Sequence, residues 1–253
     1  MNQYVELVES YDKDHEAMKA FIAKIKKDCQ PYMKWLEKNK THFCRGMKGK
    51  EMMGVRSVRK DREPKDTHQV FDRLLNLALK EAGVIPRSEG VFCTTDPLAL
   101  SEYGPSYYIF PKGKFDFYYI DGIKDITMDL KIGRGREIFQ TFPSDFMKLF
   151  NERLMKAKTV EDFDDKWNDI LMDYGDKDEG FLYSYDEELE VLKGMIRKTE
   201  NITQYIVKDK LPPSSRMEIV LNTKEYYYIK FTDYAMHRTM NLNEYDAFNF
   251  WRE

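Results

Sequence analysis

The chain has 253 residues, 42% of them hydrophobic, and a net charge of −3 at pH 7. This composition excludes a disordered tail and allows a buried core, and no apolar run is long enough to cross a bilayer. The first ten residues have neither a basic start nor an apolar stretch. The sequence therefore predicts a cytoplasmic protein, in a bacterium or a phage-infected host cell, that does not associate with membranes.

The cysteines and histidines give no sign of a metal site or a disulfide framework. Cys29, Cys44 and Cys93 are widely spaced without a CxxC pair, and the four histidines form neither an HExxH nor an HxH pattern. We therefore expect a reducing compartment and no protein-bound metal.

The first half of the chain predicts helices and short strands around a basic segment. The pattern predicts a helix over 14–30, an apolar cluster continuing to Lys40, a strand over 41–47, a long polar loop over 48–66, and a helix over 68–82 that Asp66 or Thr67 caps and Gly83 closes. Short strands follow over 90–95, 106–110 and 115–120.

The second half predicts a helical middle and a return to strands. Apolar residues trace helical faces over 160–174 and 189–196, with an acidic loop between them. The strands predicted over 217–221 and 225–231 flank residues 222–224, which we interpret as a hairpin turn. Helices and strands in this order indicate an α+β fold.

Charge is unevenly distributed along the chain. Residues 45–65 contain eight Lys or Arg against three acids, whereas residues 161–190 contain thirteen acids against two lysines. This asymmetry indicates one face suited to an anion and another suited to a basic partner. Two solvated faces would produce the same pattern.

The common nucleotide-binding and hydrolase signatures are missing: the sequence has no GxxxxGK[ST] phosphate loop, no GxSxG elbow and no GxGxxG after a strand. Three separated segments carry chemistry instead. They are His42-Phe-Cys-Arg45-Gly46, then Gly90-Val-Phe92-Cys-Thr94-Thr95-Asp96 leading to Tyr103 and Tyr107, and finally Pro212-Pro-Ser-Ser-Arg216-Met-Glu218-Ile-Val-Leu221.

At these segments the chain resembles the Arg-Ser-Glu class of mono-ADP-ribosyltransferases, including phage-encoded and toxin members. That family has an aromatic-Arg-Gly strand, a Phe-x-Ser-Thr-Ser strand followed by a helix and a further strand, and a loop leading to a strand with the catalytic glutamate. The agreement covers residues 42–230 in order and approximate spacing. It does not cover residues 1–38 or the segment 140–200.

The resemblance implies a fold and a domain organisation. It implies an α+β domain over 1–253 with an ADP-ribosyltransferase-like split pair of small antiparallel sheets flanked by helices. Residues 1–38 would form an N-terminal helical extension, and residues 140–200 a helical insertion.

The resemblance also implies roles for individual residues, with NAD⁺ as a substrate. Arg45 would contact the NAD⁺ phosphates, and Thr94, a departure from the family's usual serine, would brace the site through its hydroxyl. Glu218 would stabilise the charge that develops as the glycosidic bond breaks. The set of NAD⁺-binding residues would be completed by Gly46, Phe92 and a tyrosine, Tyr103 or Tyr107, that stacks on nicotinamide. Alternatively, these residues are ordinary surface and strand residues.

The acceptor of the ADP-ribose is predicted from charge. In family members that modify arginine, the position two residues before the catalytic glutamate is Glu or Gln, whereas here it is Arg216. A cation there would repel an arginine acceptor and attract a phosphate-bearing one, which favours RNA or single-stranded DNA over protein. Arg56, Arg59 and Arg62 either contact this target or lie in a solvated loop.

Three functions therefore stay open at the level of sequence. The first is a toxin or phage-conflict transferase that modifies nucleic acid, held in check by a neutralising antitoxin partner. The second is a transferase with a protein target. The third is a non-catalytic interaction protein of a phage or toxin–antitoxin system, which would bind a partner through its acidic helical insertion.

Overall fold

The computed structural model describes residues 16–60, 67–124, 138–177 and 180–231. These residues belong to two compact units whose chain segments alternate. Unit 1 is formed by the described residues of Met1–Val58, Phe92–Asp116 and Thr223–Glu253, and unit 2 by those of Arg59–Val91 and Phe117–Asn222. The single domain expected over 1–253 stays a prediction, because alternating segments occur within one domain as well as between two.

The elements follow one another in mixed order. The helices are α1 (residues 16–28), α2 (Gln30–Asn39), α3 (Gln69–Glu81), α4 (Ser144–Leu154), α5 (Val160–Gly175), α6 (Phe181–Ser184) and α7 (Asp186–Asn201). The strands are β1 (Phe43–Gly46), β2 (Met53–Ser57), β3 (Val91–Cys93), β4 (Ser106–Pro111), β5 (Asp116–Ile120), β6 (Ile206–Lys208), β7 (Ile219–Asn222) and β8 (Glu225–Lys230). Short 3₁₀ helices occur at Arg87–Glu89, Pro97–Tyr103 and Ile202–Tyr205.

The first sheet is antiparallel and has the strand order β1-β4-β8-β2. Strand β8 reads Glu-Tyr-Tyr-Tyr-Ile-Lys, and its aromatic residues are buried because it is a central strand. Helices α1 and α2 are joined to this sheet by hydrogen bonds. The hydroxyl of Tyr227 donates to Asp28 at 2.5 Å, and the hydroxyl of Tyr32 accepts from the Phe43 N–H at 3.2 Å.

The second sheet has the strand order β3-β7-β5-β6. In unit 2, helices α3 to α7 enclose a core of phenylalanines that includes Phe146, Phe150, Phe163 and Phe181, each 0% exposed. Side-chain hydrogen bonds also join separate segments of this unit. The Arg73 guanidinium donates to the Ala157 carbonyl.

The structure confirms an α+β protein with two small antiparallel sheets. The predicted helices at 68–82 and in the 160–196 region are present, and Gly83 ends α3 with a left-handed φ of +70°. The described part of the N-terminal helix covers residues 16–28. Asp14 and residues 61–66 lie outside the described residues.

Three predictions about local structure are wrong. Residues 48–66 contain strand β2, because Val55 and its neighbours pair with β8 and so override a polar, glycine-containing composition. The cap of α3 is His68, whose Nδ1 accepts from the Val70 N–H at 3.4 Å, instead of Asp66 or Thr67. The strands around residues 222–224 form no hairpin, since β7 lies in the second sheet and β8 in the first.

Among the described residues, no helix is long and apolar enough to cross a membrane.

Candidate functional site

Arg45 lies on β1, the edge strand of the first sheet, opposite Tyr107 of β4. Its side chain is half-buried, and it makes no hydrogen bond or ion pair with any residue that the structure describes. Burial raises the pKa of Tyr226, and the charges of Arg45 and Arg56 oppose this rise, so both guanidinium groups act on the same phenol. A half-buried cation that no carboxylate of the described residues neutralises is suited to binding an anion.

Thr94 is joined to the strand that carries Arg45. The Cys44 N–H donates to the Thr94 carbonyl at 2.7 Å, and the Thr94 N–H donates to the Cys44 carbonyl at 2.9 Å. Thr94 is buried, and its hydroxyl accepts from the Asp96 N–H at 2.9 Å. The structure therefore brings Arg45 and Thr94 onto bridged backbone segments of unit 1, and Thr94 braces the start of the turn that follows β3.

Gly46 allows that turn to pack directly on β1. A Cβ atom at this position would lie 2.6 Å from the Cβ of Tyr103 and 3.1 Å from the Leu100 carbonyl oxygen, so any side chain would displace the 3₁₀ helix Pro97–Tyr103. The Tyr103 side chain is 58% exposed, whereas Tyr107 is 1% exposed. Of the two tyrosines considered for stacking on nicotinamide, Tyr103 is the one whose ring is open to a ligand.

Tyrosine hydroxyls of the first sheet hold the segment that follows Arg45. The hydroxyl of Tyr107 donates to the Gly49 carbonyl at 3.1 Å, and that of Tyr228 donates to the Glu51 carboxylate at 3.5 Å. Arg56 lies at the same place: it pairs with Glu51 at 3.7 Å and lies 5.0 Å from the centre of the Tyr228 ring. Arg56 is thus partly neutralised, so its charge is less available to an anion than that of Arg45.

Glu218 lies in unit 2, directly before β7, and its carboxylate is held by Arg87. The Arg87 Nε donates to Oε1 and a terminal nitrogen donates to Oε2, each at 3.1 Å. The two side chains are 10% and 15% exposed, so this is a nearly buried bidentate ion pair. Sequence reasoning missed Arg87, because 131 residues separate it from Glu218 and no motif marks it.

The ion pair changes what substitution of Glu218 is expected to do. An exchange to Gln keeps the side-chain shape, and sequence alone suggests that stability would be nearly unchanged. Because both side chains are nearly buried, the exchange removes one charge of the ion pair, which typically costs ~3–5 kcal/mol when a buried pair is broken. Loss of activity in Glu218→Gln must therefore be separated from loss of folded protein.

The remaining predicted site residues differ in exposure. Arg216 and Arg59 are exposed, and Arg62 lies outside the described residues. Phe92 is the middle residue of β3 and is half-buried. In the part of the chain that the structure describes, no group of three or more His, Cys, Asp or Glu residues is arranged to hold a metal ion.

Comparison of the chain with protein-family models, with curated proteins and with solved structures gives no significant match.

Proposed function

We propose that the chain is a mono-ADP-ribosyltransferase that cleaves NAD⁺ and passes ADP-ribose to a macromolecule. The observation that carries the proposal is the arrangement of Arg45 and Thr94 on bridged segments of unit 1, with an arginine that no described residue neutralises. An arginine and a hydroxyl residue on separate, adjacent segments are what the family's first two motifs require.

The order of elements gives further support. Along the chain, the strand with Arg45 comes before β3, which Thr94 directly follows. The 3₁₀ helix Pro97–Tyr103 and β4 come next, and Glu218 lies much later, directly before β7. This is the order that the resemblance implies. Glu218 also has the chemistry of the assigned role, because each of its carboxylate oxygens accepts one hydrogen bond from Arg87 and can accept another from a ribose hydroxyl.

The proposed reaction breaks one bond and forms one bond. The bond between the ribose C1′ and the nicotinamide nitrogen breaks, and nicotinamide leaves with the electron pair. The acceptor's nucleophile then bonds to C1′ and loses a proton to solvent. Arg45 binds the pyrophosphate of NAD⁺ through charge-assisted hydrogen bonds, and Glu218 accepts from a ribose hydroxyl and stabilises the oxocarbenium-like charge.

The acceptor that we favour is a nucleic acid, either RNA or single-stranded DNA. Arg216 is exposed and precedes Glu218 by two residues, and a cation at this position favours a phosphate-bearing acceptor over an arginine side chain. A protein acceptor is the alternative. We further propose that a neutralising partner protein restrains the enzyme, because free NAD⁺ consumption would harm the cell that makes it; co-purification with a second protein tests this.

A non-catalytic interaction protein is the second candidate, and the surface of unit 2 favours it. Met172 on α5, and Leu182 and Tyr183 on α6, are 61%, 43% and 89% exposed, and the acidic residues of this region lie on α5 and α7. Exposed apolar side chains in an acidic environment suit a basic, amphipathic protein partner.

Release of nicotinamide from NAD⁺ separates the two candidates. We expect the wild-type chain to release nicotinamide and Arg45→Ala to bind NAD⁺ about 10- to 100-fold more weakly, because a charge-assisted phosphate contact contributes ~1.5–3 kcal/mol. Arg153→Ala is the control, since this half-buried arginine pairs with Asp173 and has no assigned role. If the folded wild-type protein neither binds nor consumes NAD⁺, the proposed transferase activity is wrong.

The acceptor class is tested with labelled NAD⁺ in cell lysate. Separate aliquots of the reaction are digested with protease, RNase or DNase, and we expect a nuclease to remove the label. Label that survives both nucleases and disappears with protease identifies a protein acceptor.

A further inference from the structure

We propose that Arg87 is a positioning residue for Glu218: it fixes the plane of the carboxylate so that the unused lone pairs point to where the substrate ribose binds. This inference rests on the proposed function, in which Glu218 is the carboxylate that acts on NAD⁺. It adds a residue that the resemblance does not include.

The geometry of the pair leaves Glu218 able to act. Each carboxylate oxygen accepts one hydrogen bond from Arg87, at 3.1 Å in both cases, and an ionised carboxylate has about two acceptor positions on each oxygen. Two positions therefore stay available for a ribose hydroxyl. Because the guanidinium is planar and binds through two nitrogens, it also prevents the carboxylate from rotating about its last bond.

Arg87 is itself anchored by unit 2. The Tyr118 hydroxyl donates to the Ile85 carbonyl at 3.1 Å, and the Asn76 side chain accepts from the Ser88 N–H at 3.2 Å. Within the 3₁₀ helix, the Glu89 N–H donates to the Pro86 carbonyl at 3.0 Å. The backbone on both sides of Arg87 is thus fixed by bonds from β5 and α3.

Gly90 allows the segment 85–90 to pack closely on β7, the strand that follows Glu218. A Cβ atom at Gly90 would lie 2.3 Å from Cγ1 of Val220 and 3.0 Å from Cδ1 of Ile85. The segment 85–90 therefore packs directly on β7. On the other side, the Glu218 N–H donates to the Lys124 carbonyl at 3.0 Å, so the backbone of each partner is held independently of the ion pair.

Stability alone is a weak reason for such a pair. Moving two charges out of water is costly, and apolar residues of similar volume often give equal or greater stability. A site that needs a carboxylate in one orientation gives a better account, because a misplacement of about 1 Å in a catalytic group lowers a rate by about 100-fold. Arg87 supplies that orientation.

The test compares Arg87→Met with Arg73→Met. Arg73 is a half-buried arginine of unit 2 that donates to the Ala157 carbonyl and contacts no proposed catalytic residue. For each variant, kcat and KM for NAD⁺ are measured together with the thermal unfolding midpoint. We expect Arg87→Met to lower kcat by about 100-fold and to change KM by less than about threefold. Arg73→Met should lower the unfolding midpoint while keeping kcat within about twofold of wild type.

A milder variant keeps the test valid if Arg87→Met does not fold. Arg87→Lys retains the charge but replaces two parallel hydrogen bonds with a point contact, so we expect an intermediate kcat and an unchanged KM. Retained or increased kcat in Arg87→Met overturns the inference, as does a loss of kcat that Arg73→Met shows equally. A wild-type protein that consumes no NAD⁺ instead refutes the proposed function, and the positioning role with it.

Discussion

The two units use aromatic residues differently. In unit 1 the first sheet carries tyrosines whose hydroxyls bond to other segments: Tyr107 to Gly49, Tyr228 to Glu51 and Tyr227 to Asp28. The helices of unit 2 enclose a cluster made mainly of phenylalanines that pack on one another, although the Tyr174 hydroxyl there also donates to Asp145 at 2.7 Å. The ring centres of Phe146 and Phe181 are 4.8 Å apart.

The two kinds of contact differ in how precisely they fix the positions of the atoms they join. A hydroxyl bond has a direction and one acceptor, so the tyrosines of unit 1 fix particular loop atoms beside Arg45. Contacts between phenylalanine rings are less directional and stabilise through buried area. Unit 1 therefore specifies the backbone around a proposed ligand, whereas the core of unit 2 supplies the stability on which the Arg87–Glu218 pair depends.

The largest effect is expected from the core of unit 2. Phe146 is 0% exposed, and its ring lies near those of Phe142, Phe150, Tyr174 and Phe181. We expect Phe146→Ala to lower the free energy of unfolding by ~3–5 kcal/mol, because it removes a buried ring and leaves a cavity. Chemical denaturation followed by circular dichroism measures this change.

Tyr183→Ala is the matched control for this prediction. Tyr183 is an aromatic residue on α6 of the same unit, but it is 89% exposed. We expect its removal to change stability by less than ~0.5 kcal/mol. Equal losses in the two variants would contradict the assignment of stability to the phenylalanine core.

Much of the fold follows from local pattern. Strong helical periodicity predicted α3 and α5, and the turn glycine Gly83 marked the end of α3. Strand pairing was harder to predict. Strands β7 and β8 are adjacent in sequence and look like a hairpin, yet they lie in different sheets, because pairing is decided by tertiary partners that alternating polarity does not encode.

The candidate site also has one part that the sequence predicts and one part that it does not. Arg45 and Thr94 are predicted from short sequence motifs, and the structure joins their segments by backbone hydrogen bonds. Arg87 could not be found from sequence, since its functional meaning lies in a contact with a residue 131 positions away. One local signal existed: Pro86 before Arg87 and Gly90 after it predict a tight, fixed turn.

A smaller effect is expected from pH, and it concerns α5 and α7 of unit 2. Burial, with a smaller contribution from the hydrogen bond and charge of Asp164, raises the pKa of Glu200 from 4.5 to about 7, and Arg197 opposes the rise. Because folding raises the pKa of this carboxyl, the folded state keeps the proton at pH values where the unfolded chain has lost it. The resulting stabilisation is fully present below the ordinary pKa of 4.5. That contribution is lost as pH rises through about 7.

We therefore expect the stability of the wild-type protein relative to Glu200→Gln to fall between pH 5 and pH 8. The expected change is about 1–2 kcal/mol, less than the full pKa shift implies, because the side chain is partly exposed. Thermal unfolding of both proteins at four pH values measures it. A difference between them that does not vary with pH would show that Glu200 keeps an ordinary pKa in the folded state.

The smallest effect on stability is expected from two matched hydrogen bonds, one in each unit. In each case a tyrosine hydroxyl donates to a backbone carbonyl at 3.1 Å. In unit 1 it is Tyr107 to Gly49, and in unit 2 it is Tyr118 to Ile85. We expect Tyr107→Phe and Tyr118→Phe each to cost ~1 kcal/mol.

Their local effects should differ, because the described bonds around the two carbonyls differ. The segment 85–90 is also held by the Asn76 bond to the Ser88 N–H and by the packing of Gly90 on Val220, so its amides should exchange at nearly unchanged rates in Tyr118→Phe. Residues 47 and 52 have backbone hydrogen bonds to other segments, but between them residues 48–51 are held by tyrosine hydroxyls and by Arg56, so the amides of 48–51 should exchange faster in Tyr107→Phe. Hydrogen–deuterium exchange read by mass spectrometry compares the two segments. Equal acceleration in both would mean that hydroxyl bonds define the two units to the same degree, and that the backbone beside Arg45 has no special dependence on its tyrosines.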